Sequence, residues 1–387
     1  MMRAALEIVF WLSSALILWT QGVYGLALAL IARIARSPRP SDDGSPRLEE
    51  LPMLSLIIAA HDEQEVIAAK VANALGLDYP RERLQVVVAC DGCSDETAAV
   101  AREGGADLVL ELPRGGKIRA QDTAVERSRG EILAFSDANA LWEHDAARRL
   151  AAAFADPHVG YACGQVRFVQ AATGAEAGNQ EGVYWRYEMG LRALESRLSS
   201  ITAGNGAIYA TRRESYLLVD PIMGHDLSLP FNMVKRGWRA VYVPEARASE
   251  KMVPSLSGEF ARKRRMMSHT WPILLRGGML SPRGYPPGYA LMIISHRLLR
   301  YSTPILHMLA LAANVALVAR GSGALYVVTL ALQLALLAAA ALGGALRARP
   351  LLIARYYVLT TASPAAGLWD WLRHGTEASW EAAEGTR

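Results

Sequence analysis

The residues of this 387-residue chain best suited to chemistry follow short apolar runs. EILAFSD ends in Asp137-Ala138-Asn139, where two oxygen-bearing side chains two residues apart can point to one side of a turn. Such a pair can hold Mg²⁺ or Mn²⁺ and leave positions open for the oxygens of a departing diphosphate. The plainer account is a strand-to-loop turn, which Asp and Asn also favour. Asp91-Gly92 follows VVVAC and is read as a ligand-contacting carboxylate, with Ser94 as a cap for the next helix. Gly115-Gly116 precede a helix starting near Lys117, whose ammonium can meet phosphate. Asp226 opens an amphipathic helix, where it is either the N-cap or a general base for a hydroxyl nucleophile. Arg262 and Arg265 lie three apart on one helical face with Trp271 further along, which suits either a diphosphate or lipid headgroups.

These residues need a scaffold that brings strand ends together. The runs at 54–60, 84–90, 106–112 and 131–137 alternate with helical-looking polar stretches. Runs that are apolar on both faces imply strands covered by helices on both sides, hence an α/β domain with a mostly parallel sheet. Ligands of such sheets bind beyond the C-terminal strand ends, which is where His61, Asp62, Glu63, Asp91 and Asp137 fall. Past about residue 157 the alternation weakens, and GNGAIYATRRE at 204–214 reads as the half of the domain that holds an acceptor, with Gly204 and Asn205 its candidates.

Both ends of the chain are apolar. Between Glu7 and Arg33 no residue is charged, and the stretch exceeds the ~20 residues that cross a bilayer as a helix. Arg33, Arg36 and Arg39 follow directly, so the domain beyond is expected on the cytoplasmic side of a plasma or inner membrane. Uncharged runs from Tyr301 to Ala319 and from Gly321 to Leu346 predict two further spans around a Gly-Ser-Gly turn. Leu351 to Leu372 carries Arg355, Pro364 and Asp370 and reads as interfacial or re-entrant, with a third C-terminal span the alternative. The expected organisation is an N-terminal transmembrane helix over 1–36, a Pro- and Ser-rich linker over 37–50 and a cytosolic domain over 51–256. Interfacial helices over 257–300, two spans over 301–346 and a terminal segment over 347–387 follow. The net charge of +4 sits largely beside apolar segments, so it is read as membrane contact and not as nucleic-acid binding. Cys90 and Cys93 form a C-x-x-C without a second pair, and neither a metal nor a redox role is assigned to them.

In order and spacing these stretches resemble glycosyltransferase family 2, the inverting enzymes with a Rossmann-like A-type fold, and in particular its membrane-integrated branch of polysaccharide synthases and lipid-linked sugar transferases. SLIIAAHDEQEVI is similar to the family's opening strand, which implies that Ala59, His61 and Glu63 border the donor nucleotide. ACDGCSDET places Asp91 at the family's uracil-binding aspartate, and GGKIRAQDTAVERSRGEILAFSDAN runs from a phosphate-side lysine, Lys117, to a D-x-D metal motif, here Asp137 and Asn139. GHDLSLPFNMVKRGWRAVYVPEA places the family's base on Asp226. The resemblance implies a UDP-sugar donor, Mg²⁺ or Mn²⁺, donor contacts from Arg262 and Arg265, and a lipid-linked or glycan acceptor near Gly204, Asn205 and Trp271. The chain departs from the family pattern at Asn139 and His225, where a second Asp and an acidic residue are usual, and from the processive synthases at Met266, where their Q-x-x-R-W box carries a Trp. Single transfer is therefore expected, with processive synthesis as the alternative in the family and a nucleotide-binding membrane scaffold as the alternative outside catalysis.

Overall fold

A computed structural model describes residues 1–35, 51–169, 178–251, 256–346, 348–376 and 378. The linker expected at 37–50 lies outside the described residues. Eight strands form one sheet: β1 (Leu54–Ala60), β2 (Leu84–Asp91), β3 (Leu108–Leu112), β4 (Ile132–Asp137), β5 (Leu141–Trp142), β6 (Val159–Val169), β7 (Tyr209–Arg212) and β8 (Arg239–Lys251). Their order is β3-β2-β1-β4-β7-β6-β8-β5. The first four in that order are mutually parallel, β7 runs antiparallel to both β4 and β6, and β8 is parallel to β6. The mostly parallel α/β sheet expected from the run lengths is thus present, with β7 and the short edge strand β5 reversed.

Every residue of β1 and β2 is buried, because helices cover both faces. Successive side chains serve opposite cores, as the period of two requires: Leu54, Leu56 and Ile58 pack into one, Ile57 with Val87 and Phe135 into the other. The register brings the strand ends level, with Ala59 between Ala89 and Asp137.

Two helices among the described residues are long and apolar enough to cross a membrane, Met2–Ile34 and Ala324–Leu342. Pro287–Tyr301 and Thr303–Ala319 pass the same test only as a pair bent by 63°. Leu12, Leu18 and Leu26 of the first helix and Leu325, Val328 and Leu332 of the other stay exposed, as side chains facing lipid would. Gly321 and Gly323, with φ of 67° and 109°, make the turn between Thr303–Ala319 and Ala324–Leu342.

The polar face of Pro287–Tyr301 turns inward. His296 lies between two carboxylates of the helix Gly178–Leu198, 2.7 Å from Glu195 and 2.9 Å from Glu188. Arg300 pairs with Glu188 at 2.9 Å, Tyr24 of the N-terminal helix donates to Glu195 at 2.8 Å, and Arg297 donates to Thr202 at 2.8 Å. This buried network fastens the apolar helices to the loop entering β7. The segment expected to be interfacial or re-entrant forms a single helix, Arg349–His374, lying along Leu256–Leu275. Gly367 permits that approach, since a Cβ there would lie 2.5 Å from the Cβ of Met267.

Candidate active site

The C-terminal ends of β1, β2 and β4 share one edge of the sheet. Ala59 is wholly buried at the end of β1 and fixes the spacing between the two neighbouring strand ends. His61 donates from Nδ1 to the carbonyl of Asp91 at 2.8 Å, and its Nε2 lies 3.7 Å from Asp62 Oδ2. Glu63 is buried, and its backbone N–H donates to Thr97 Oγ1 at 2.8 Å. Asp62, at φ 51°, accepts the backbone N–H of Ser94 at 2.7 Å and its hydroxyl at 3.2 Å, and these bonds hold its carboxyl below the usual range. Ser94 is therefore not the helix cap expected of it. Glu96 holds the N-cap position without a side-chain bond, and Asp95 accepts the N–H of Thr97 at 3.0 Å.

The Asp91 carboxylate is 1% exposed and reaches across to the loop after β3. It accepts the backbone N–H groups of Gly115 at 2.6 Å and of Gly116 at 3.0 and 3.1 Å, with Arg114 3.6 Å away. A charged carboxylate gains from such donors, so Asp91 shapes the glycine loop that leads into Lys117. The sequence suggested a ligand contact alone and gave no sign of this bond, because the partners are backbone groups more than twenty residues away.

Lys117 begins the helix Lys117–Arg127, and its ammonium pairs with Asp137 Oδ1 at the end of β4. Gly206 completes the wall. A Cβ at that position would lie 3.4 Å from Lys117 Nζ and 3.8 Å from Asp137 Oδ2. The loop containing it is pinned to β4 and β5 by the carbonyl of Ala207, which accepts from Ser136 at 3.1 Å and from the Trp142 indole at 3.0 Å. Burial opposes the charge on Lys117, yet Asp137, Asp226 and Glu250 together hold its pKa above the ordinary value. Carboxylates of β4, β8 and the start of the helix His225–Lys235 thus act on one ammonium, Asp137 by direct pairing. Asp226 is pushed up by burial and by Asp137, against the pull of Lys117. Glu250 is pushed up to about 7 by burial and then by Asp137. Lys70 is completely buried beneath this group, donates to the carbonyl of Ala140 at 2.5 Å, and is brought down to about 7 by burial. Glu250, Lys70 and Gly206 carry no motif around them, and only the pairing of distant strands makes them neighbours.

His225 stands where an acidic residue was expected. It is buried against Phe135, Tyr209 and Tyr216, with Nδ1 2.8 Å from the Tyr209 hydroxyl. Burial and the charge of Lys117 bring it down to about 3, so it is neutral at physiological pH. Tyr216, 3.5 Å from Nε2, donates in turn to Asp122 at 2.6 Å. This aromatic box fixes the residue next to Asp226.

The residues assigned to an acceptor have other partners. Gly204 donates to the carbonyl of Asp226 at 2.7 Å, and a Cβ there would collide with the Tyr161 hydroxyl. Asn205 builds its own loop, donating to Gly164 at 2.7 Å and accepting from Ala207 and Ile208 at 3.1 and 2.8 Å. Both position the strand-end loop beside Asp226. Trp271 is 4% exposed, and its indole N–H donates to the carbonyl of Pro364 at 2.8 Å. It joins Leu256–Leu275 to Arg349–His374, which supplies the carbonyl partner its buried indole requires. Arg262 acts electrostatically on Glu250, whereas Arg265, one turn along, is exposed.

A metal fits the donor set at the end of β4. Asp137 and Asn139 offer carboxylate and amide oxygens, the hard ligands that Mg²⁺ and Mn²⁺ take. A second group, His61, Asp62 and Cys93, brings its ligand atoms within 4.8 Å of one another. All three already serve the protein, on Asp91, Ser94 and the carbonyl of Ala60.

Comparison with known proteins agrees with this geometry. The family model described as glycosyltransferase like family 2 matches residues 52–268. An N-acetylglucosaminyltransferase of Mesorhizobium japonicum is 28% identical over 243 residues, 58% of this chain and 57% of the relative. A beta-monoglucosyldiacylglycerol synthase of Synechocystis is 28% identical over 164 residues, 39% of this chain and 33% of the relative. The chain spans roughly half or less of the length of these curated relatives. Among solved structures, a mannosyltransferase of Pyrobaculum calidifontis, determined with GDP-mannose and Mn²⁺, superposes with a TM-score of 0.69 at 22% identity. That match covers 96% of this chain and 99% of the other. The likeness establishes the fold, that of an A-type glycosyltransferase domain with apolar helices at its ends.

Proposed function

This chain belongs to glycosyltransferase-like family 2, and from that premise we propose that it transfers a sugar from a nucleoside diphosphate donor, UDP-linked, to a hydroxyl of a lipid-linked or glycan acceptor at the cytoplasmic face of a membrane. The observation that carries the reading is the Lys117–Asp137 pair beyond the strand ends, with Asp226 acting on Lys117 electrostatically and its own carboxyl pushed up by burial.

Asp226 accepts the proton of the attacking hydroxyl, and the acceptor oxygen displaces the diphosphate from the opposite face of the anomeric carbon, which inverts its configuration. Burial makes its carboxylate a stronger base than an ordinary aspartate. The glycine loop held by Asp91 carries Lys117 to the diphosphate, where its ammonium meets the charge that develops on the departing oxygen. When Mg²⁺ or Mn²⁺ is bound by Asp137 and Asn139, it supplies further positive charge to the leaving diphosphate. His61, Glu63 and Asp91 border the nucleotide, with Arg262 and Arg265 as cationic contacts on the membrane side. Acceptor entry is from the side of the apolar helices. Met2–Ile34 and Ala324–Leu342 cross the bilayer in this reading, which suits a lipid-linked acceptor. Two or three spans leave little material to line a polymer channel, and this favours single transfer.

The test is release of nucleoside diphosphate by the purified full chain in nanodiscs, with a panel of UDP-sugars and GDP-mannose, membrane lipid extract, and Mg²⁺, Mn²⁺ or chelator. Metal-dependent release from one donor, coupled to glycosylation of an extractable lipid, is expected. Binding of UDP without turnover of any donor would replace this reading with that of a nucleotide-binding scaffold.

A further inference from the structure

We propose that Glu195 and Thr202 are positioning residues for the transfer reaction: together they set the loop whose Gly204 holds Asp226, and they do so from a seat shared with the apolar helices. The proposal rests on the reading of Asp226 as the base. The loop between Gly178–Leu198 and β7 meets the site twice. Gly204 donates to the carbonyl of Asp226 at 2.7 Å, and Gly206 lies against Lys117 and Asp137.

The start of the same loop is held from the other side. Thr202 is wholly buried and donates to Glu195 Oε2 twice, through its backbone N–H at 3.2 Å and its hydroxyl at 2.9 Å. That hydroxyl accepts from Arg297 Nε at 2.8 Å. Tyr289 donates to the carbonyl of Ile201 at 2.9 Å, and Arg192 donates to that of Gly204 at 3.0 Å. The second oxygen of Glu195 serves the apolar helices, accepting from Tyr24 of Met2–Ile34 at 2.8 Å and lying 2.7 Å from Nδ1 of His296. One wholly buried carboxylate thus bonds the loop with one oxygen and two separate apolar segments with the other.

Stability alone does not account for that arrangement. A charge taken out of water costs much of what its partners return, and apolar side chains of similar volume often hold helices together as well. What a carboxylate adds is direction, because its hydrogen bonds to charged and polar donors are short and geometrically specific. The base needs such placement: a displacement of about 1 Å at a reacting group can cost on the order of 10²-fold in rate. If Glu195 only fastened the helices, its loss would reduce the amount of folded protein and not the turnover of each UDP-binding molecule.

The experiment compares variants of the full chain in nanodiscs, with rates referred to the number of UDP sites counted by calorimetric titration. Thr202→Val keeps the shape and removes the hydroxyl, and it should speed amide exchange at Gly204 by about tenfold or more while β1 and β2 exchange as in wild type. With the UDP-sugar active in the panel above, kcat per UDP site should fall by about tenfold to 10²-fold, with donor KM within about threefold. Thr202→Ser keeps the hydroxyl and should recover most of that loss. In the Asp226→Asn background, Thr202→Val should lower the remaining rate by less than about threefold, because the base it positions is already gone. Unchanged exchange at Gly204, unchanged kcat per site, or the same loss with and without Asp226 overturns the role of Glu195 and Thr202, and an impaired Asp226→Asn then leaves the base standing. Wild-type transfer by Asp226→Asn overturns the base and this proposal with it. If Thr202→Val yields no UDP-binding protein, Glu195→Gln decides by the same readouts, since its single acceptor oxygen cannot serve both the loop and the helices.

Discussion

Gly116 gives its backbone N–H to both oxygens of Asp91, at 3.1 and 3.0 Å, from a φ of 97°. Only glycine holds that conformation cheaply, and a Cβ at this position would also collide with the carbonyl oxygen of Ala378. Gly116→Ala should cost about 1–3 kcal/mol in local strain. Because the loop carries Lys117, nucleoside diphosphate affinity should fall by about tenfold or more, equivalent to roughly 1.4 kcal/mol, the lower part of that strain. Calorimetric titration with UDP checks it, and unchanged affinity would detach the loop from the donor.

His225 makes stability depend on pH. Its folded pKa of about 3 lies below the ordinary 6.5, so between those values the unfolded chain binds a proton that the folded chain does not. Stability is complete above pH 6.5 and declines as pH falls towards 3, by up to about 1.4 kcal/mol per unit from this group. His225→Gln removes the titration. Denaturant unfolding of both proteins at pH 7 and pH 5 should show a shallower loss in the variant, and equal slopes would mean that His225 is protonated in the fold.

How much of this arrangement was readable from the chain follows from where each partner lies. Runs such as LSLIIAA and LQVVVAC announce strands buried on both faces because burial acts on consecutive residues. Asp91, Lys117, Asp137 and Asp226 were visible because strand ends and helix starts are local signals. Gly206 was not, since its meaning is the 3.4 Å approach to Lys117 Nζ, set by the fold of a remote loop. Glu250 was hidden for a similar reason: β8 alternates like any half-buried strand, and nothing local to it announces that the charges of Asp137 and Lys117 act on it. The packing role of Trp271 was hidden because its partner, Pro364, is 93 residues away. The loop-building role of Asn205 was hidden because a G-N-G sequence gives no hint that the amide bonds Gly164, Ala207 and Ile208.

Trp271 therefore has a structural prediction. Truncation to Ala removes a buried ring and leaves the Pro364 carbonyl without its donor. The cost should be about 3–5 kcal/mol, in the range of large aromatic truncations. The docking of Arg349–His374 should loosen, seen as faster amide exchange in that helix, while donor affinity changes by less than about twofold, or roughly 0.4 kcal/mol. Loss of transfer to acceptor without faster exchange would instead support Trp271 as an acceptor contact.

Asp226 gives the sharpest test of the chemistry. Burial and the Asp137 charge raise its pKa, so the ionised form that can accept a proton is lost at a pH above that of an ordinary aspartate. The rate of transfer should fall on the acid side as pH drops through that raised value, whereas nucleotide binding should not follow the same limb. Asp226→Asn keeps the size and the Gly204 N–H bond to its carbonyl but cannot take the proton. Transfer should drop by about 10²- to 10⁴-fold, the usual worth of a positioned base, with UDP affinity within about threefold. The residual activity should lose its acid limb. If the limb survives in Asp226→Asn, another group titrates there, and Glu250, pushed up to about 7, is the next carboxylate to substitute.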